Sequence, residues 1–140
     1  MSDRSHLFNC FSASALGQEL SKRIAAGSAV SCANVDAAGW AHLAAALRAE
    51  TGRTVVLVTA QLKQQETLQQ DVETWLRLLD VDTPARFYAD WEVLPHEDKL
   101  PHADALSERL ETLQALADGA APVITVTPAA FMQCTLPTTE

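Results

Sequence analysis

Long apolar runs are missing from this sequence: none approaches the roughly 20 residues that a helix needs to cross a bilayer. Cysteine is scarce. The three in 140 residues, Cys10, Cys32 and Cys134, are an odd number at wide spacing with no CxxC pair, which argues against a disulfide framework and a structural zinc site. With only 5 Gly and 6 Pro, the chain is neither collagen-like nor low-complexity. The segment from Met1 to Cys10 carries Asp3, Arg4 and His6 and has no apolar stretch ending in small residues, so a secretory leader is not expected. The resulting expectation is a cytoplasmic protein with reduced thiols. Positive charge is also in short supply: residues 61–140 hold five basic and fourteen acidic side chains, and the whole chain carries −8. Nucleic-acid affinity comes chiefly from Lys and Arg neutralising phosphates, so no direct DNA or RNA binding is expected.

What the chain does contain is 48% hydrophobic residues, enough for one compact domain spanning 1–140. Leu16, Leu20 and Ile24 recur every four residues, which predicts an amphipathic helix from Ser14 to Ala26, with Ser12 or Ser14 as cap and Gly27 as stop. Ala29 to Ala33 (AVSCA) is short and apolar and is expected to be a first strand. Asp36 then caps a helix from Ala37 to about Thr51, closed by Gly52. Thr54 to Thr59 (TVVLVT) is β-branched or apolar throughout, as a strand covered on both faces should be. A long helix follows, marked by Leu62, Leu68, Val72, Trp75, Leu76 and Leu79. Pro84 to Tyr88 predicts a third strand. An irregular stretch, Asp90 to His102, is interrupted by Pro95 and Pro101. A helix from about Pro101 places Leu106, Leu110, Leu113 and Leu116 on one face. Pro122 to Thr127 (PVITVT) is the fourth expected strand, and Pro128 opens a short helix. Alternating strands and helices predict an α/β fold, a parallel sheet with helices on both faces.

In such a fold the turn after the first strand is where a phosphate loop would lie, because backbone N–H groups and a helix N-terminus converge there. That turn reads Asn34-Val35-Asp36-Ala37-Ala38-Gly39-Trp40-Ala41. Against GxxxxGK[ST] it keeps only the second glycine: Asn34 replaces the first, Trp40 the lysine and Ala41 the hydroxyl residue that would hold magnesium. Asp36 adds negative charge where phosphates would sit. These residues alone read as an ordinary capped helix start, with no nucleotide cofactor expected. His96, Glu97, Asp98, His102 and Asp104 concentrate potential metal ligands, but their spacing matches no ligand motif. The expected role is a solvated acidic loop leading into a helix whose dipole Asp104 and Glu108 favour, with no metal. Cys32 lies in the expected apolar strand Ala29 to Ala33, Cys10 and Cys134 lie near the termini, and all three read as packing residues. Trp91, near Leu94, is expected to plug the sheet edge rather than anchor a partner.

The stretch Phe87 to Asp104, FYADWEVLPHEDKLPHAD, followed by Ser107-Glu108-Arg109-Leu110, resembles the DWE-x-LP-(Y/H)-(E/D)-x-x-x-PH stretch and RL-x-x-L helix of the bacterial transcription-repair coupling factor (Mfd) family. The residues that carry the likeness are Asp90, Trp91, Glu92, Leu94, Pro95, Glu97, Asp98, Pro101, His102 and Arg109. A degenerate phosphate loop upstream, a VVLVT strand before a long helix, and ITVTPAAFMQ downstream extend it over nearly the whole chain. Leu100 stands where the family more often has serine, which removes a helix cap. The resemblance implies a degenerate P-loop fold similar to the first subdomain of the excision-repair protein UvrB. UvrB's long aromatic hairpin does not fit the short stretch from Ala89 to Leu100, where Trp91 is the sole aromatic.

On that resemblance the expected function is non-catalytic: a structural and interaction subdomain of a DNA repair factor that links stalled RNA polymerase to nucleotide excision repair. Its partners would be other domains of the same factor. UvrA and RNA polymerase contacts, and the translocase motors, would belong to domains beyond Glu140, and no strong UvrA binding is expected of this chain. Glu92, Glu97 and Asp98 would form an acidic rim facing basic surface elsewhere in the factor. The alternative is a self-standing P-loop-type nucleotide-binding domain, separated from the first by an ATP-binding test. A third reading, a metal-dependent regulator using His96 and His102, is separated by calorimetry with zinc or manganese.

Overall fold

The structure is a computed structural model that describes residues 10–91, 93 and 99–133. In chain order its elements are α1 (Ala15–Ala25), α2 (Ala37–Thr51), β1 (Val55–Val58), α3 (Leu62–Leu78), β2 (Ala85–Tyr88), α4 (Ala103–Ala117), β3 (Val123–Val126) and α5 (Pro128–Met132). The strands form a parallel sheet in the order β1-β3-β2. Val55 and Ala85 both register with Val123, and Val58 and Tyr88 both register with Val126.

The two crossovers run in opposite directions, β1 to β2 through α3 and β2 back to β3 through α4. A common hand therefore places α3 and α4 on opposite faces. The side chains agree. Val55, Leu57, Ala85 and Val123 pack against α2 and α3, while Arg86 and Tyr88, one residue out of phase with Ala85, meet Glu111 and Arg109 of α4. The core on the first face is built from Ala41, Ala44, Ala45, Leu68, Val72, Leu76 and Val123. Alanines at i, i+3 and i+4 of α2 leave little side-chain bulk between that helix and α3.

Ser14 caps α1 and Asp36 caps α2 through their side chains. Gly52 closes α2 in the left-handed conformation, φ 65°, as expected of a C-terminal glycine.

Two expectations are corrected. Ala29 to Ala33 is not a strand: it has no ladder to any described residue, and the described sheet has three strands rather than four. Its small residues, Ala29, Ser31 and Ala33, are exposed and bring too little apolar surface to hold it on a sheet. The leucine stripe of α4 is not its buried face either. Arg109 and Thr112 are the buried residues of that helix, and Leu106, Leu110 and Leu116 are exposed. Among the described residues no helix is long and apolar enough to cross a membrane.

Candidate functional site

Asn34 to Ala41, the turn compared above with a phosphate loop, leads into the start of α2. Asn34 adopts φ 60°, a left-handed conformation that glycine or asparagine supplies most readily. Asp36 Oδ1 accepts the Gly39 N–H at 2.7 Å, so the protein's own carboxylate takes a donor that a phosphate would need. Gly39 is required by close approach: a Cβ there would meet Val35 Cγ1 at 2.9 Å and Asp36 Oδ1 at 3.1 Å. Trp40 is partly exposed and lines a groove beside β1. Ala41 is fully buried in the core, where a magnesium-binding hydroxyl would be out of reach of solvent.

A second locus sits at the carboxyl end of β2, where ligand crevices of open α/β sheets lie. Arg109 Nη1 donates to Ala89 O at 2.9 Å, Ala130 O at 3.2 Å and Gln133 Oε1 at 3.3 Å, and Nη2 donates to Gln133 O at 3.3 Å. Its guanidinium also lies over the rings of Tyr88 and Trp91. No carboxylate among the described residues pairs with it directly. Gln133 mediates instead: its Oε1 accepts from Arg109 and from the Trp91 N–H, and its Nε2 donates to Asp90 Oδ1 at 2.6 Å. Trp91 is half-buried, and its indole Nε1 is buried without a partner.

Arg109, Asp90 and Trp91 of the matched motif are thus brought together. Glu92, Leu94, Pro95, Glu97 and Asp98 lie outside the described residues, as does His96. Pro101 is half-buried just before α4. His102 caps that helix, its Nδ1 accepting from the Asp104 N–H at 3.4 Å and facing Asp104 Oδ2 at 3.3 Å, so the cap withdrawn with Leu100 is supplied two residues on. Leu100 itself is exposed. Only Asp104 lies in the first turn of α4. Glu108, expected to favour the helix dipole, has its carboxyl pushed up by partial burial and by the charges of Asp104 and Glu111. Cys32 is half-buried outside any strand.

Several residues of this architecture escaped sequence reasoning. Gln65 is fully buried on α3, and its Nε2 bridges Thr125 O at 2.9 Å and Tyr88 O at 3.1 Å, tying β3 to β2. Its signal was register: Gln65 lies on the stripe of Leu68, Val72 and Leu76, where a glutamine must have partners. Gln69 Oε1 accepts from Thr125 Oγ1, and Thr127 caps α5. Gln133, the hub of the second locus, closes the ITVTPAAFMQ stretch but was not singled out within it.

Trp40 lies at the rim beside β1 and Arg109 at the rim beside β2. The first locus is a helix start capped by its own aspartate, and the second is a fastening of helix, strand end and the chain after α5. Compared with protein-family models, curated proteins and solved structures, the chain matches none.

Proposed function

We propose that this chain is a non-catalytic structural and interaction subdomain of a transcription-repair coupling factor, with a degenerate P-loop fold similar to the first subdomain of UvrB. The observation that carries the reading is the Asp36–Gly39 cap at the head of α2. The loop keeps the left-handed residue, the tight glycine and the capped helix, yet its donor is taken, its lysine is a tryptophan and its hydroxyl position is core. That combination supports a nucleotide-site scaffold reused for support. The Arg109 fastening adds a reason for the Asp-Trp and Arg-Leu pattern that does not involve catalysis. Partners on this reading are other domains of the same factor, with UvrA and polymerase engaged elsewhere.

Two measurements test it. Equilibrium dialysis of the 140-residue chain with ATP and magnesium should show no binding, and micromolar affinity would favour the nucleotide-binding alternative. Replacing the first subdomain of a coupling factor by this chain should preserve ATP-dependent release of stalled polymerase. A folded chimera that has lost that activity would overturn the assignment.

A further inference from the structure

The two edges of the sheet are unlike. On β2, Arg86 places a charge at the edge strand and pairs with Glu111 at 3.0 Å. On β1 nothing comparable exists: Val55–Val58 is apolar at every position, with no charge, proline or bulge of the kind that blunts a free edge. Val55 N–H donates to Pro122 O and Thr59 N–H to Val126 O. The alternation of a parallel ladder therefore turns the peptide groups of Val56 and Val58 outward, where no described strand pairs with them. Their side chains are 44% and 60% exposed.

Apolar grooves flank this edge. One, of about 740 Å³, is lined by Trp40, Leu57 and Leu68. The other, of about 520 Å³, lies on the α4 face and includes Val56, Leu113, Leu116 and Phe131. A strand laid along β1 would send alternate side chains toward the two faces.

Charge selects the occupant. In a chain of net −8, the segment from Arg53 to Lys63 has a basic residue at each end and no acid between them. Neither Arg53 nor Lys63 has an ion-pair partner among the described residues. Asp71 is the one acidic residue lining the Trp40 groove. A second copy pairing antiparallel through its own β1 would bring the Arg53 end of one copy toward the Lys63 end of the other, like charge near like charge.

We infer that the outer edge of β1 accepts an added strand from outside these 140 residues: an extended segment, apolar over about four residues and acidic at both ends. Main-chain bonds to Val56 and Val58 would give the affinity, and the grooves and end charges the choice of partner. The inference rests on the reading of the chain as an interaction module and not on which factor it serves.

The test is fluorescence anisotropy at low salt with a labelled peptide, Asp-Glu-Val-Val-Val-Val-Glu-Asp. Saturable binding is expected, weakened about tenfold or more when the four acids become lysines, a change of about 1.4 kcal/mol. Val58→Pro removes only an outward N–H, which an edge strand tolerates, so it should abolish binding with an unchanged melting curve. Should that variant fail to fold, the same peptide N-methylated along its main chain gives the equivalent loss with the unaltered protein. No binding, or equal binding of the lysine peptide, overturns the inference. So does dimerisation of the chain alone by light scattering with loss of the peptide site, which would make a second copy the occupant. Either failure leaves the ATP and chimera results standing, so it is distinguishable from failure of the functional proposal.

Discussion

The Arg109 guanidinium lies 4.2 Å from the centre of the Tyr88 ring, so a buried cation on α4 rests on an aromatic of the strand that the helix covers. The same group bonds the carbonyls of Ala89, Ala130 and Gln133. Arg109→Ala leaves those acceptors unpaired and should cost on the order of 3 kcal/mol in a urea titration. Arg109→Lys should recover less than half of this, because an ammonium cannot span the same forked set of acceptors. A change below about 0.5 kcal/mol, the size of an ordinary surface substitution, would show that the fastening does not hold the fold.

Trp91 shares that cation, 5.2 Å from its ring centre. Trp91→Ala should lower the melting temperature, at a cost of about 2 kcal/mol from lost burial and cation–π contact. Unchanged stability together with loss of a binding partner would reassign the residue as an interface anchor.

Asp36→Ala removes the cap of α2 and should destabilise the chain by about 1 kcal/mol, read from thermal or urea midpoints. It also frees the Gly39 N–H. ATP should still fail to bind by calorimetry, because Trp40 and Ala41 remain, and Trp40→Lys alone should fail for the complementary reason.

Gln65 donates to two buried carbonyls. Gln65→Met should cost about 2 kcal/mol at any pH. Gln65→Glu should cost more at pH 7, since a carboxylate would face two carbonyl oxygens. Its folded-state pKa would then lie above its unfolded value near 4.3, so the native state binds the extra proton and the deficit shrinks as the pH falls. Melting curves of both variants at pH 7 and 5 check the sign.

His42 lies against Phe11 and Trp75 with Nε2 buried and unpartnered, and burial lowers its pKa from 6.5. Below 6.5 the unfolded chain takes up a proton that the folded one resists, so stability falls as the pH drops through about 6.5. His42→Phe should flatten the dependence of the urea midpoint between pH 7 and 5. An unchanged slope would place the titration elsewhere.

Val55–Val58, Ala85–Tyr88 and Val123–Val126 fall inside the expected runs: the first and third are apolar and largely β-branched, and the second, Ala-Arg-Phe-Tyr, was legible from its aromatic pair and the proline before it. Helix ends at Ser14, Asp36, Gly52 and Pro128 were legible because capping is local chemistry. Ala29 to Ala33 misled because pairing depends on a neighbouring strand and not on the segment itself. In α4 the leucine period indicated a helix but not the face that turns inward. Arg109 and Gln133 act through acceptors 20 to 43 residues away, a distance over which spacing carries no signal, and Gln65 was legible only as a polar residue on an apolar stripe, without its partners. The second locus was legible only as separate patterns: Asp90, Trp91 and Arg109 were named, and Gln133 only closed the downstream stretch, with nothing in the spacing to show that they meet.

The strand order has a consequence for how the chain comes together in time. β3, which follows β1 and β2 in the chain, is the middle of the described sheet, and β1 and β2 bond to it rather than to each other. Until Val123–Val126 has left the ribosome, neither β1 nor β2 has its partner in the described sheet. Closure is therefore a single late event made of long-range contacts, which is intrinsically slow. A chain halted before Val123 would lose the described sheet at once, and with it the face against which α2, α3 and α4 pack.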